Sequence, residues 1–291
     1  MRFLWLTWLG QAGFLLEEPG GRKLLVDPFL SDHPGRLYPP PVEAARLAGV
    51  DVVLATHEHD DHLDLPFLRA LLEAGGRPRV LVPEPVRPLA LAGGLPAERV
   101  EGVAPGAWRE VGGFRLRALP ALHGVGGPGW SGAYDFGGPP ERARFLGYVV
   151  EAGGVRLFHA GDGLVYPGLA EAVAGLGADV ALLPVNGRDA YREAAGIVGN
   201  MDEREAARLA LEAGVRLLVP MHYEAFRGNE GDVGRLARAV AVQGGPALLL
   251  PVRGERTLLA FDGEAAGEGG ERRAAEAATR SGAFGAQRSH A

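Results

Sequence analysis

Three histidines and several carboxylates stand within nine residues of a 291-residue chain: Thr56-His57-Glu58-His59-Asp60-Asp61-His62-Leu63-Asp64. Imidazole nitrogen and carboxylate oxygen suit divalent Zn, Mn or Fe. The chain has no cysteine to supply a thiolate. It has only 8 histidines, so three of them inside six positions call for a reason. A loop here can turn His57 and His59 toward one ion while Asp61 and His62 reach a second beside it. Two ions about 3.5–4 Å apart form a common hydrolytic pair. Neither ligand set is complete within the loop, so partners have to come from elsewhere in the chain. Glu58, Asp60 and Asp64 read as solvated, capping or orienting groups.

The elements around the cluster explain how partners could arrive. The cluster follows a buried strand predicted over residues 51–55. Strands separated by Gly or Pro turns are predicted over 3–9, 14–17 and 23–27, and a further hairpin over 148–151 and 155–159. Single buried strands are predicted over 80–82, 114–119, 179–184, 216–219 and 247–252. Helices are predicted over 65–74, with Asp64 as N-cap and Pro66 in the first turn, over 202–213 ending at Gly214, and over 232–242. Mixed strands and helices with hairpins indicate α/β or α+β layers, not one parallel doubly wound sheet. Residues 31–41 and 124–145 read as long loops, the second rich in Gly and Pro and carrying Trp130, Tyr134 and Phe136. Loops of that length inside a compact domain are often functional.

With these residues in place, the chain resembles the metallo-β-lactamase superfamily. The His-x-His-x-Asp-His pattern stands at His57, His59, Asp61 and His62. The stretches Trp8-Leu9-Gly10-Gln11-Ala12-Gly13-Phe14, Leu24-Leu25-Val26-Asp27-Pro28, Ala160-Gly161-Asp162 and Pro220-Met221-His222 extend the likeness over residues 3–260. The resemblance implies an αββα sandwich of two mixed sheets flanked by helices, with a site at one sheet edge. It implies two divalent metal ions, Zn or Mn. It also implies that His123 completes the three histidines of the first ion, that Asp162 bridges both ions, and that His222 completes the second. His159, inside a strand, reads instead as a hydrogen-bonded histidine of the core. His33 stands in a Pro-rich loop that could border the pocket.

Within the superfamily the runs Pro184-Val185-Asn186-Gly187-Arg188-Asp189, Gly199-Asn200-Met201 and Pro220 to Phe226 resemble the ascorbate-6-phosphate lactonase-like hydrolases. That likeness implies a small, anionic, phosphorylated lactone or ester as substrate. Arg188 would pair with its anionic group, with Asn186 and Asn200 beside it; the alternative is an ion pair between Arg188 and Asp189. Asp61 would bind a metal and orient the nucleophile or accept its proton, and Tyr223 is a candidate leaving-group acid by its place next to His222. Competing readings are a phosphodiesterase of the same superfamily and, behind it, a redox or non-catalytic metal-binding protein.

Composition bounds these readings. Hydrophobic residues at 47% and charged residues at 23% are ordinary for a globular protein. The balance of 30 basic against 36 acidic residues weighs against a nucleic-acid partner. No apolar run reaches the length of a membrane-spanning helix, so no membrane partner is expected. The expected arrangement is a hydrolase domain over residues 1–262 followed by a Gly/Ala-rich disordered tail over 263–291, in a cytoplasmic protein. Its partner would be a small-molecule substrate, and the sequence is compatible with a homo-oligomer.

Overall fold

The computed structural model describes residues 1–124 and 133–263. Strand β1 (Arg2–Gly10) buries Leu4, Leu6 and Trp8 and leaves Phe3, Trp5 and Thr7 half-exposed. This alternation marks a strand with one face on a core. It folds back antiparallel on β2 (Gly13–Glu17), which pairs with β3 (Lys23–Val26). Parallel strands β4 (Val52–Leu54), β5 (Arg79–Pro83) and β6 (Val100–Val103) extend the sheet. Helices α1 (Leu65–Glu73) and α2 (Arg87–Ala92) cover its outer face, where Phe67, Leu68, Leu71 and Ala90 meet Leu25, Val53 and Val80. Asp64 caps α1 as predicted, accepting from the Phe67 amide with Pro66 in the first turn.

The second half repeats the scheme. Strands β7 (Arg109–Val111) and β8 (Phe114–Pro120) form a hairpin, and β9 (His123–Gly124) pairs with β10 (Tyr134–Asp135). Strand β11 (Leu146–Ala152) lies antiparallel between β8 and β12 (Val155–His159). From β12 the sheet continues in parallel through β13 (Val180–Pro184), β14 (Leu217–Met221) and β15 (Ala247–Leu248). The intervening helices are α3 (Leu169–Gly175), α4 (Ala190–Ala194), α5 (Glu203–Glu212) and α6 (Val233–Gln243). Helix α5 opens on a capping box between Asp202 and Glu205. A last strand, β16 (Arg256–Phe261), crosses back to pair with β1.

The result is two seven-stranded mixed sheets, in the orders β16-β1-β2-β3-β4-β5-β6 and β15-β14-β13-β12-β11-β8-β7. Leu6, Trp8, Phe14, Leu116, Tyr148 and Val150 belong to the apolar core of the sandwich. This is the αββα architecture expected. Among the described residues no helix is long and apolar enough to cross a membrane.

Several elements were not predicted. Strand β7 has only three residues, too few to show a period. Helix α3 is built of Leu, Ala, Glu, Val and Gly and is preceded by Gly168, with no side-chain cap. Strand β16 makes sense only against β1, some 250 residues earlier. Within the predicted 124–145 loop, Tyr134–Asp135 is paired as β10, and residues 125–132, with Trp130, lie outside the described residues. The expected tail lies outside them too, from residue 264 onward.

Candidate metal centre

The sheets bring their strand ends to one edge. His57 follows β4, Asp162 follows β12 and His222 follows β14, while His123 opens β9 just beyond β8. The carboxyl ends of parallel strands are where open α/β sheets bind ligands, because loops from separate strands converge there. The 57–64 loop is wound tightly: the amides of His62 and Leu63 both donate to the His59 carbonyl, at 2.9 and 2.8 Å. Gly161 allows Asp162 to approach. At φ +63 an added Cβ would lie 2.8 Å from the Leu146 carbonyl oxygen and 2.9 Å from Thr56 Cβ, so only glycine fits.

All seven predicted ligands meet there, in three overlapping groups: His57, His59 and His123; His57, His62 and Asp162; Asp61, His62 and His222. His59 Nδ1 lies 2.9 Å from His57 Nε2 and 3.4 Å from His123 Nε2. Asp162 Oδ1 lies 3.3 Å from His62 Nε2 and Oδ2 3.2 Å from His222 Nε2, and a carboxylate oxygen of Asp162 comes within 4.8 Å of a His57 ring nitrogen, linking it to the other set. Asp61 Oδ2 lies 3.3 Å from His222 Nε2 and 3.7 Å from His62 Nε2.

The residues fit divalent cations on their own geometry. Nitrogen ligands at 2.0–2.1 Å from a tetrahedral ion stand about 3.3 Å from one another, close to the spacings between these donors. His62 Nε2 and Asp162 Oδ1 are both buried and, although they face each other at 3.3 Å, neither has a well-formed hydrogen bond. Native proteins rarely leave such atoms unpaired, and a cation would satisfy both.

The two sets differ electrostatically. Burial holds His57 well below the usual imidazole range, and the neighbouring His62, His59 and His123 push it further down. Burial likewise brings His123 down to about 3. Burial also acts against charge on His62 and His222, but there the carboxylates outweigh it. Asp162, Asp61 and Asp27 hold His62 well above its ordinary value. Asp162 and Asp61 raise His222 to about 9. Burial alone would raise Asp61 and Asp162, yet the facing His62 and His222 rings hold both carboxyls low.

Around the donors stands a supporting layer that the sequence did not single out. Asp27 Oδ2 accepts from His62 Nδ1 at 2.7 Å and from Thr56 Oγ1 at 2.7 Å. Thr56 Oγ1 thus spends its only proton on Asp27 and can accept from His57 Nδ1 at 3.1 Å. Nε2 of each ring is thereby left facing the site, that of His62 free to bind once its second proton is displaced. Gln11 Nε2 donates to Asp61 Oδ2 at 2.7 Å and lies 2.8 Å from His222 Nε2. Gln11, Asp27 and His222 are also the non-glycine residues with positive φ among those described, at +51°, +45° and +58°. Such conformations cost on the order of 1–3 kcal/mol each and gather at functional sites. The available signals were a polar residue breaking the apolar run at Gln11 and a carboxylate closing a buried strand at Asp27. His159 is the core histidine expected: its Nε2 donates to the Ala12 carbonyl and its Nδ1 accepts from the Gly161 amide, just ahead of Asp162.

The predicted substrate residues are placed elsewhere. Arg188 is held bidentately by Glu205, at 2.6 and 2.8 Å, and borders a different cavity from the one over the donors. Its partner is therefore neither an open substrate pocket nor Asp189. Asn200 is fully buried and donates to Asn186 Oδ1, and Asn186 donates to Asn229 Oδ1 at 2.8 Å. Of these three asparagines Asn229 alone lines the cavity over the donors, and it was missed. Tyr223 stacks on Trp8 and does not line that cavity.

A family model, the beta-lactamase superfamily domain, matches residues 22–223, a span holding every one of the seven donors. The chain belongs to the metallo-β-lactamase superfamily. A metal-dependent hydrolase of the UPF0173 group from Rubrobacter xylanophilus is 32% identical over 245 residues, covering 82% of this chain and 90% of that protein. Another from Methanosarcina mazei is 30% identical over 257 residues, covering 88% and 98%. The structure of a metallo hydrolase from Ignicoccus hospitalis superposes with a TM-score of 0.68 at 21% identity, covering 89% of this chain and all of that one, which shows the same fold. The protein is thus a metal-dependent hydrolase of the metallo-β-lactamase superfamily, with a candidate His/Asp metal site at its sheet edge.

Proposed function

We propose that this protein hydrolyses a small carboxylic ester or lactone with two divalent cations, Zn or Mn. The observation that carries the reading is the pair of adjoining donor sets, joined by a third group in which Asp162 meets His57 of one and His62 of the other. His57, His59 and His123 would hold one cation; Asp61, His62 and His222 would hold the other. When bound, such ions lower the pKa of water from 15.7 to about 7 and polarise a carbonyl. The side chains do the rest. Asp61, partly open to the cavity and 3.3 Å from His222 Nε2, would orient the attacking water or accept its proton. Asp27 fixes the His62 ring, and Gln11 fixes the Asp61 carboxylate.

Ester or lactone chemistry is favoured over phosphodiester cleavage by the cavity itself. Among the described residues no Arg or Lys lines it, so no cation besides the metals would meet a phosphoryl oxygen. The same observation withdraws support from a phosphorylated substrate, since Arg188 is committed to Glu205.

The reading is tested by assaying metal-loaded protein on phenyl acetate, dihydrocoumarin and bis(4-nitrophenyl) phosphate, before and after chelation. Chelator-sensitive turnover of the esters, restored by Zn or Mn, is expected. Turnover of the phosphodiester alone would overturn the reading in favour of the phosphodiesterase.

A further inference from the structure

The cavity over the donors encloses about 350 Å³, within the range of small-molecule sites. Its floor is His59, Asp61, His123, Asp162 and His222, and the rest of its described wall is mostly apolar. Phe29, His33 and Phe226 form one cluster: Phe29 and Phe226 at 5.8 Å between ring centroids, with His33 edge-on to both at 5.7 and 5.4 Å. Gly196, Ile197 and Val198 supply a second stretch of wall. Apart from the donors, Asp60 is the charged residue among the described lining.

The aromatic cluster is built, not incidental. Arg36 bridges to Phe226 in the backbone, and the Leu37 amide donates to the Ala225 carbonyl, which straps the 33–38 segment onto the loop after His222. Gly35 lies beneath the His33 ring, where an added Cβ would stand 3.2 Å from Cε1 and 3.4 Å from Phe226 Cδ1. The Gly35 amide donates to His33 Nδ1 at 3.1 Å. With Nδ1 accepting from Gly35, Nε2 is the ring nitrogen left to donate, so the aromatic wall offers one hydrogen-bond donor.

We infer that the cavity selects an uncharged substrate carrying an aromatic or similarly flat apolar group, seated against Phe29, His33, Phe226 and Ile197. This rests on the hydrolase reading for the reaction, and on the wall alone for the selectivity. The physical reason is desolvation. A ring gains from leaving water against Phe29 and Phe226. A carboxylate or phosphate on that ring would be buried against a described wall that no Arg or Lys lines, with Asp60 nearby. Arg36, 4.5 Å over the Phe29 ring, donates through Nη1 to the Phe29 and Ser31 carbonyls and is not part of that wall.

Calorimetry on the metal-loaded protein can separate these contributions, using three hydroxamates. Acetohydroxamate has no ring, benzohydroxamate has a neutral one, and 4-carboxybenzohydroxamate has a charged one. Benzohydroxamate should bind about tenfold more tightly than acetohydroxamate, equivalent to roughly 1.4 kcal/mol, and the added carboxylate should remove that gain. Phe226→Ala should narrow the gap between benzo- and acetohydroxamate. Ile197→Arg, at a half-buried loop position, should reverse the preference toward the carboxylate and provides a gain of binding that misfolding cannot mimic. Equal binding of the three, tighter binding of the carboxylate by the unmodified protein, or no binding at all would overturn the inference. Ring selectivity without hydrolysis of any ester would sink the ester reading and leave this one intact. Ester turnover with preference for charged rings would do the reverse.

Discussion

The two halves of the metal centre reach the same end by opposite electrostatics. His57 and His123 are buried among other imidazoles and kept neutral, so a cation arrives at lone pairs already bare. His62 and His222 face Asp61 and Asp162 and hold protons firmly, so a cation arriving there has to displace them. Protons thus occupy one donor set and not the other. The first set is preorganised by exclusion of charge, the second by pairing of charge, and only the second contains a residue able to take up a proton from water.

That contrast can be broken most severely at Asp61. Asp61→Ala should lower kcat on a hydrolysed ester by about 10²–10⁴, the usual contribution of a positioned acid or base, with circular dichroism unchanged because the residue lies on a loop. Wild-type kcat in this variant would remove Asp61 from the mechanism. A pH series sharpens the contrast next. Below about 9 His222 is protonated in metal-free protein, and metal binding releases that proton. Raising the pH removes the competitor, so affinity at the second set should climb at least about tenfold per pH unit below that value, more steeply where His62 also gives up a proton, and flatten as His222 becomes neutral. His57 and His123, already neutral at pH 7, add no such slope at the first set. Parallel slopes for both binding steps would dissolve the distinction.

Smaller effects follow from the supporting layer. Asp27→Asn keeps the shape and tolerates the positive φ, but weakens the hold on His62 Nδ1. Metal affinity at the second set should fall by about 10–100-fold, as for other residues that orient metal-bound histidines, and the first set should change little. The smallest effect is expected far from both sets. Arg188→Ala removes a half-exposed bidentate pair with Glu205, worth about 1 kcal/mol after solvent screening. The melting temperature should drop by a few degrees, with kcat/KM on neutral and anionic esters altered alike. A selective loss on the anionic ester would restore Arg188 to the substrate site.

The pattern of what the sequence revealed follows the same division. The 57–62 cluster was legible from its residue types after a buried strand; Asp162 and His222 were implied by the resemblance, each just past a recognisable strand, β12 and β14. Mixed α/β or α+β layers were legible from hairpin turns between β-rich runs and from the Asp64-capped helix α1, whereas the αββα sandwich was implied by the resemblance to the superfamily. Asp27 and Gln11 were not assigned roles because those arise from positive-φ corners that turn their side chains onto His62, Asp61 and His222. Backbone handedness at a single residue leaves little trace in residue type when the residue is not glycine. Arg188 escaped for another reason. Its partner Glu205 lies seventeen positions on, in helix α5, where it also completes the capping box with Asp202. A local reading sees Asp189 first. The aromatic wall joins Phe29 and His33 to Phe226 across most of the chain, brought together by the Arg36–Phe226 bridge and the Leu37–Ala225 hydrogen bond.

Metal titration of the metal-free protein at pH 7, by calorimetry in two buffers of different ionisation enthalpy, puts the electrostatic division of the centre to the proof. Two divalent cations per chain should bind, in two steps. One step should have heat nearly independent of buffer; the other should have heat that shifts with the buffer by at least one released proton. A stoichiometry of one or none, or equal proton release in both steps, would contradict the division.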